Sequence, residues 1–176
     1  MLTWIINNIT KSNTLKIFPE PTSYDDYSIA LIQNLKDLKF IKESYENFHG
    51  KRFPLFNCFL YKLLGKKLVI VANDKRGNIV GFDMLYFNKR DILENTIHEG
   101  FIFVKPEFQG KGVSKNLRLY SGEYLRMNSI SGLSTRIRES NKSSLYSALN
   151  IGFEKVECYK VSNSNCTEYY LVNRFL

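Results

Sequence analysis

The stretch VKPEFQGKGVSKNL, Val104 to Leu117, constrains this chain more than any other, because it carries an apolar strand end through a glycine-punctuated turn into helix formers. Before it, NTIHEGFIFVKP, Asn95 to Pro106, contains an unbroken apolar run, the pattern of a central strand. After it, Val113, Leu117, Tyr120, Tyr124 and Met127 recur at spacings of four and three and predict one face of an amphipathic helix. A helix that starts at Gly112 or Val113 leaves its first N–H groups without partners, at the positive end of the helix dipole. Gly110 and Gly112 carry no Cβ to keep a ligand away from those groups, and Lys111 and Lys115 add full positive charge. The turn from Gln109 to Ser114 is therefore suited to a phosphate or pyrophosphate. It matches neither GxxxxGK[ST] nor GxGxxG.

Around this unit the sequence predicts an α/β fold with a mixed sheet, in one domain spanning residues 1–176. TLKIF, Thr14 to Phe18, reads as an opening strand stopped by Pro19 and Pro21. Ser23 reads as a helix N-cap before YDDYSIALIQNLKDLKF, with Tyr27, Leu31, Leu35 and Leu38 on one helical face. Phe40 to Leu64 suggests a second helix and a loop. KLVIVAND and GNIVGFDMLYF flank turn residues as a hairpin. LSTRIR then reads as a strand, NKSSLYSALN as a short helix, and FEKVECYKV and CTEYYLVNRF as closing strands.

Bulk properties narrow the function. The formal charge of +8 is spread along the chain, which points to an anionic ligand and disfavours a polycationic one. Apolar runs fall well short of the roughly 18 residues needed to cross a bilayer, and MLTWIINNIT lacks the marks of a signal peptide. The cytoplasm is the expected location, with no membrane partner. The three cysteines, Cys58, Cys158 and Cys166, form neither a disulfide framework nor a zinc pattern, so no metal is expected. No known basic–aromatic signature of an RNA-binding module is present, which makes nucleic acid a disfavoured partner.

The chain resembles the GNAT superfamily of N-acetyltransferases. That family's acetyl-CoA loop, V-x-P-x-[YF]-[QR]-G-x-G-x-[GA], reads here as VKPEFQGKGVS, with Ser114 in the last position. Its second motif, N-x-x-A followed by a Gly-Phe pair, is matched in spacing by Asn141, Ser144 and Gly152–Phe153, with Ser144 in the place of the Ala. The resemblance covers Lys67 to Val161 and implies a bent sheet whose strand ending at Val104 splays from Leu133–Arg138, with acetyl-CoA as co-substrate in the gap. It implies that Ile102, Phe103 and Val104 pair with the pantetheine arm through their backbone, and that Asn141 bonds the same arm. The pyrophosphate would rest on Gln109, Gly110, Lys111, Gly112, Val113 and Ser114, with Lys115 beside it.

Family chemistry implies direct transfer to an amine in a ternary complex, with a backbone N–H near Val104 for the oxyanion. In a regular strand His98 shares a face with Gly100, Ile102 and Val104, which makes His98 the matching base. Glu99 is the alternative, and a β-bulge would exchange the two. Ala148 stands where many members carry a Tyr that protonates the leaving thiolate. Tyr146 points to the other side of a regular helix. The acceptor is expected among small-molecule amines, amino sugars or peptides, held by FHGKRFPLFNCF and the loop Ser162 to Asn165. A catalytically weak CoA-binding module and a domain that acetylates aminoacyl-tRNA are the competing readings, and a homodimer remains open.

Overall fold

The computed structural model describes residues 2–160 and 167–175. Eight strands form one sheet in the order β1-β2-β3-β4-β5-β6-β8-β7: β1 (Thr22–Ser23), β2 (Tyr27–Leu31), β3 (Val69–Asp74), β4 (Ile79–Tyr86), β5 (Thr96–Val104), β6 (Gly132–Arg138), β7 (Glu154–Lys160) and β8 (Thr167–Arg174). Every neighbouring pair is antiparallel except β5 and β6. A parallel pair needs a long crossover, and α5 (Val113–Met127) supplies it. Its predicted apolar face is buried through Val113, Leu117, Tyr120 and Tyr124. The α/β class and mixed sheet are as the sequence indicates. Among the described residues no helix is long and apolar enough to cross a membrane.

The N-terminal third departs from the sequence reading. A helix, α1 (Leu2–Ser12), opens the chain, and Thr14 to Phe18 forms no strand. Tyr27 to Leu31 is a strand instead of a helix, and Ser23 lies in β1 instead of capping one. Tyr27 and Leu31, four apart, satisfy both the helical and the strand period. Ile29, buried between them, completes the alternation once β2 pairs with β3. Leu35 sits in a single 3₁₀ turn whose Asn34 side chain accepts from Lys36 N at 3.0 Å. Phe40 to Leu64 falls into two helices, α2 (Leu38–His49) and α3 (Leu55–Leu68). Gly50, in the left-handed region at φ 63°, ends the first, and Pro54 precedes the second. A short α4 (Lys89–Glu94) follows β4, capped by Asn88 and ended by Asn95 at φ 53°. The last helix, α6 (Lys142–Leu149), is capped by Asn141, whose Oδ1 accepts from Ser144 N at 3.2 Å.

Two features of β5 position everything that follows. First, β5 and β6 pair only from Thr96–Gly132 to Glu99–Thr135, although the strands run on to Val104 and Arg138. Beyond Glu99 they part, with no strand pairing between them among the described residues. Second, Leu85 lies opposite Glu99 and Met84 opposite Phe101, so Gly100 is an extra residue, a β-bulge. A Cβ at Gly100 would stand 2.6 Å from Tyr86 Cε1, so the ring of Tyr86 packs where a side chain would be.

Candidate functional site

At the C-terminal end of β5 a 3₁₀ turn, Pro106–Phe108, feeds Gln109, whose Nε2 donates back to Val104 O at 3.1 Å. Gly110 and Gly112 take φ of 76° and 78°, the left-handed region, and no atom lies within 4 Å of where a Cβ would stand on either. The backbone here is open to close approach. Gly112 is the N-cap of α5 and brings no side chain to the first-turn N–H groups of Val113, Ser114 and Lys115. Lys111 leans on the ring of Phe108 at 4.9 Å and on Asp26 at 3.6 Å, and Lys115 is exposed. A cavity of about 190 Å³ adjoins the turn, lined by Lys75, Arg76 and Lys111 with Asp26, Asp74 and Phe108. Ser114 Oγ lies 3.3 Å from Ser147 Oγ, which ties the start of α5 to α6. Asn141 is exposed at the head of α6.

The bulge corrects the assumption of regular alternation. Ile102 pairs with Asp83 and Val104 with Gly81, both turned toward α5, and Glu99 faces α5 as well. Val104 therefore shares its face with Glu99, and His98 shares the opposite face with Phe101 and Phe103. Only the paired geometry of β4 and β5 could disclose this, because the extra residue leaves no mark in the apolar pattern.

Glu99 is committed elsewhere. Arg118 donates to it twice, from Nη2 to Oε1 at 2.7 Å and from Nε to Oε2 at 2.8 Å, and Thr135 Oγ1 donates to Oε1 at 3.1 Å. All of these groups are buried. On this face of β5 the Glu99 side chain is held in a buried, hydrogen-bonded ion pair.

His98 is also buried, but its ring lies on the other face, edge-on to Tyr86 at 5.1 Å and stacked on Tyr170 at 6.1 Å. Burial lowers its pKa to about 4, against the pull of Asp91, while Arg136 adds to the lowering. The ring is thus neutral at neutral pH. Between the ordinary imidazole value and this one, the unfolded chain binds a proton that the folded site refuses. Stability present above about pH 6.5 is then lost as pH falls toward about 4, by roughly 3 kcal/mol. Urea unfolding at about pH 7 and about pH 4.5 checks this: His98→Gln should remove that part of the loss.

Beside the bulge lies a cavity of about 330 Å³ lined by Trp4, Tyr45, Phe53, Asn57, Tyr61, Met84, Tyr86, Gly100 and Phe101. It is aromatic and carries no charged lining side chain. Phe53 belongs to its wall, whereas Phe56 and Phe59, at 38% and 54% exposure, face solvent. The loop Ser162 to Asn165, expected beside an acceptor, lies outside the described residues. Ala148 is fully buried and Tyr146 is 70% exposed, so the two lie on different sides of α6.

The profile of the acetyltransferase (GNAT) family matches residues 32–153. No curated protein matches by sequence. Among solved structures, the NatC complex bound to Gag peptide and CoA superposes with a TM-score of 0.74 at 13% identity, over 86% of this chain and 99% of that one. The Salmonella typhimurium protein yncA with its cofactor acetyl-CoA superposes with a TM-score of 0.69 at 17% identity, over 85% and 94%. Nourseothricin acetyltransferase matches at 20% identity with a TM-score of 0.52, over 60% of this chain and only 64% of that one.

Proposed function

The chain belongs to the acetyltransferase (GNAT) family, and on that premise we propose that it transfers the acetyl group of acetyl-CoA to a primary amine within one ternary complex. The observation that carries the proposal is the parting of β5 and β6 directly above the two-glycine turn. The pantetheine arm lies in the opening as a surrogate strand, against the backbone of Ile102, Phe103 and Val104. Its pyrophosphate takes the N–H groups of the turn from Gln109 to Ser114, with Lys111 and Lys115 as counter-charges. Asn141 keeps its side-chain amide N–H groups for the same arm while its Oδ1 caps α6.

The amine enters from the opposite face, through the aromatic cavity at the bulge. Its nitrogen attacks the thioester carbonyl, a backbone N–H near Val104 stabilises the oxyanion, and the C–S bond breaks. The amine proton passes to His98, directly or through water, and the thiolate takes a proton from solvent. A thiol near pKa 8.5 leaves without a dedicated acid, which suits the alanine at position 148. The aromatic, uncharged lining favours an amine carried on an aromatic or other uncharged body. Peptide N-termini belong among the acceptors to test, because one neighbour of the same fold holds a peptide together with CoA.

Thiol release from acetyl-CoA across a panel of aromatic amines, amino sugars and short peptides tests this reading. Stoichiometric CoA and N-acetylated product are the expected result. Tight CoA binding with no release across the panel would favour a binding module. Gly100→Ala should push Tyr86 into the cavity and raise the acceptor KM about tenfold, with acetyl-CoA affinity kept. An unchanged acceptor KM would place the acceptor elsewhere.

A further inference from the structure

We propose that Asp91 and Ser134 are positioning residues for His98, a buried carboxylate–hydroxyl–imidazole chain that fixes the tautomer of the ring, with Nδ1 protonated and Nε2 left free. Its geometry stands alone; its catalytic consequence rests on the acetyl-transfer reading above.

The chain of contacts runs through three elements. Asp91, fully buried on α4, accepts from Thr96 Oγ1 at 2.7 Å, Ser134 Oγ at 2.7 Å and Tyr170 Oη at 3.3 Å, all on Oδ1. An oxygen that receives so many hydroxyl protons acts as an acceptor only. Ser134 has a single proton and gives it to Asp91. Toward His98 it can then only accept, so the 2.7 Å contact between His98 Nδ1 and Ser134 Oγ requires the proton on Nδ1. Nε2 makes no hydrogen bond to any described residue and keeps its lone pair.

The carboxylate is also incompletely satisfied. Among the described residues Asp91 Oδ2 is buried without a hydrogen-bond partner, and it lies 4.0 Å from His98 Nδ1. An orphaned oxygen in a dry site favours positive charge beside it, which an imidazolium formed during proton transfer would supply. The charges around the ring are Asp91 from α4, Arg136 from β6, the neighbouring Glu99, and the phenols Tyr86 of β4 and Tyr170 of β8. Arg90 lies over Tyr170 at 4.3 Å. Asp91 is thus the carboxylate linked to the ring through a hydroxyl, and Arg136 opposes it. His98 and Ser134 are also the pair next to the last before β5 and β6 part, and Tyr86, against the ring, lines the aromatic cavity. The chain ends where the amine would meet the thioester.

The protein has only two histidines, His49 and His98, so long-range ¹H–¹⁵N correlation spectra of labelled protein report the tautomer directly. A protonated Nδ1 on His98 at neutral pH is the expected result, and a protonated Nε2 would overturn the proposal. Ser134→Ala should free the tautomer and lower kcat on the order of 10- to 100-fold, with acetyl-CoA affinity and acceptor KM kept. Ser134→Thr should restore both. Asp91→Asn, if it folds, should lower kcat further because the imidazolium loses its counter-charge. A native kcat in folded Ser134→Ala would sink the catalytic role. Absence of turnover in the native protein would count against acetyl transfer, and the tautomer would still decide the chain of contacts.

Discussion

Gly112→Val should abolish acetyl-CoA binding in a protein that still folds. Gly112 sits at φ 78° with open space over it, at the N-cap of α5. A β-branched side chain there would stand over the first-turn N–H groups and exclude the pyrophosphate. Charge-assisted hydrogen bonds contribute roughly 1.5–3 kcal/mol each, so losing two lowers affinity by on the order of 100-fold or more. The left-handed backbone adds strain of about 1–2 kcal/mol, which would appear in any stability measurement. Gly50→Val separates the two effects, because Gly50 is also left-handed, at φ 63°, with nothing within 4 Å. It should lose comparable stability and keep acetyl-CoA binding. Calorimetry that found native affinity in folded Gly112→Val would exclude this turn as the phosphate site.

Glu99→Gln should destabilise the fold by about 3–5 kcal/mol, the usual cost of removing one member of a buried ion pair. Arg118 and Glu99 have 0% and 2% exposed side chains, with a bidentate contact at 2.7 and 2.8 Å. Behind them lies Asp83, buried and bonded by Ser121 Oγ at 2.7 Å, whose carboxyl is driven well above its ordinary range by burial and then by Glu99. One guanidinium therefore serves two crowded carboxyls. Without the charge on Glu99 it is left in a dry interior with incomplete compensation. Urea unfolding measures the loss, and the double replacement Glu99→Met with Arg118→Met should regain much of it. A base would behave in the opposite way, losing turnover at native stability. Glu99→Gln with native stability and a crippled kcat would return the catalytic role to Glu99.

Much of the molecule between Lys67 and Lys160 was legible because its signals are local. A glycine pair after an apolar strand, followed by apolar residues at helical spacing, leaves little choice for Val104 to Met127, and α5 ends where that pattern ends. The hairpin of β3 and β4 and the unit from β6 to α6 follow from equally short-range patterns. The segment after Ser23 was not legible, since residues four apart fit a helix and a strand alike. Pairing with β3 chose between them. The role of Asp91 is not legible in the sequence, because nothing in NKRDILEN distinguishes a buried carboxyl from an exposed one.

By itself, then, the sequence determined the two-glycine turn, whose backbone conformation depends on Gly110 and Gly112 and on their immediate neighbours. The face each residue of β5 presents was decided by tertiary structure alone. The Tyr86 ring occupies the space beside Gly100, the strand takes up an extra residue there, and every side chain beyond is turned over relative to a regular strand. That inversion leaves Glu99, bound in the ionic core, on the face of Val104, and His98 on the opposite face, against the Tyr86 ring of the cavity wall. It depends on contacts between strands, which no pattern along a single strand records.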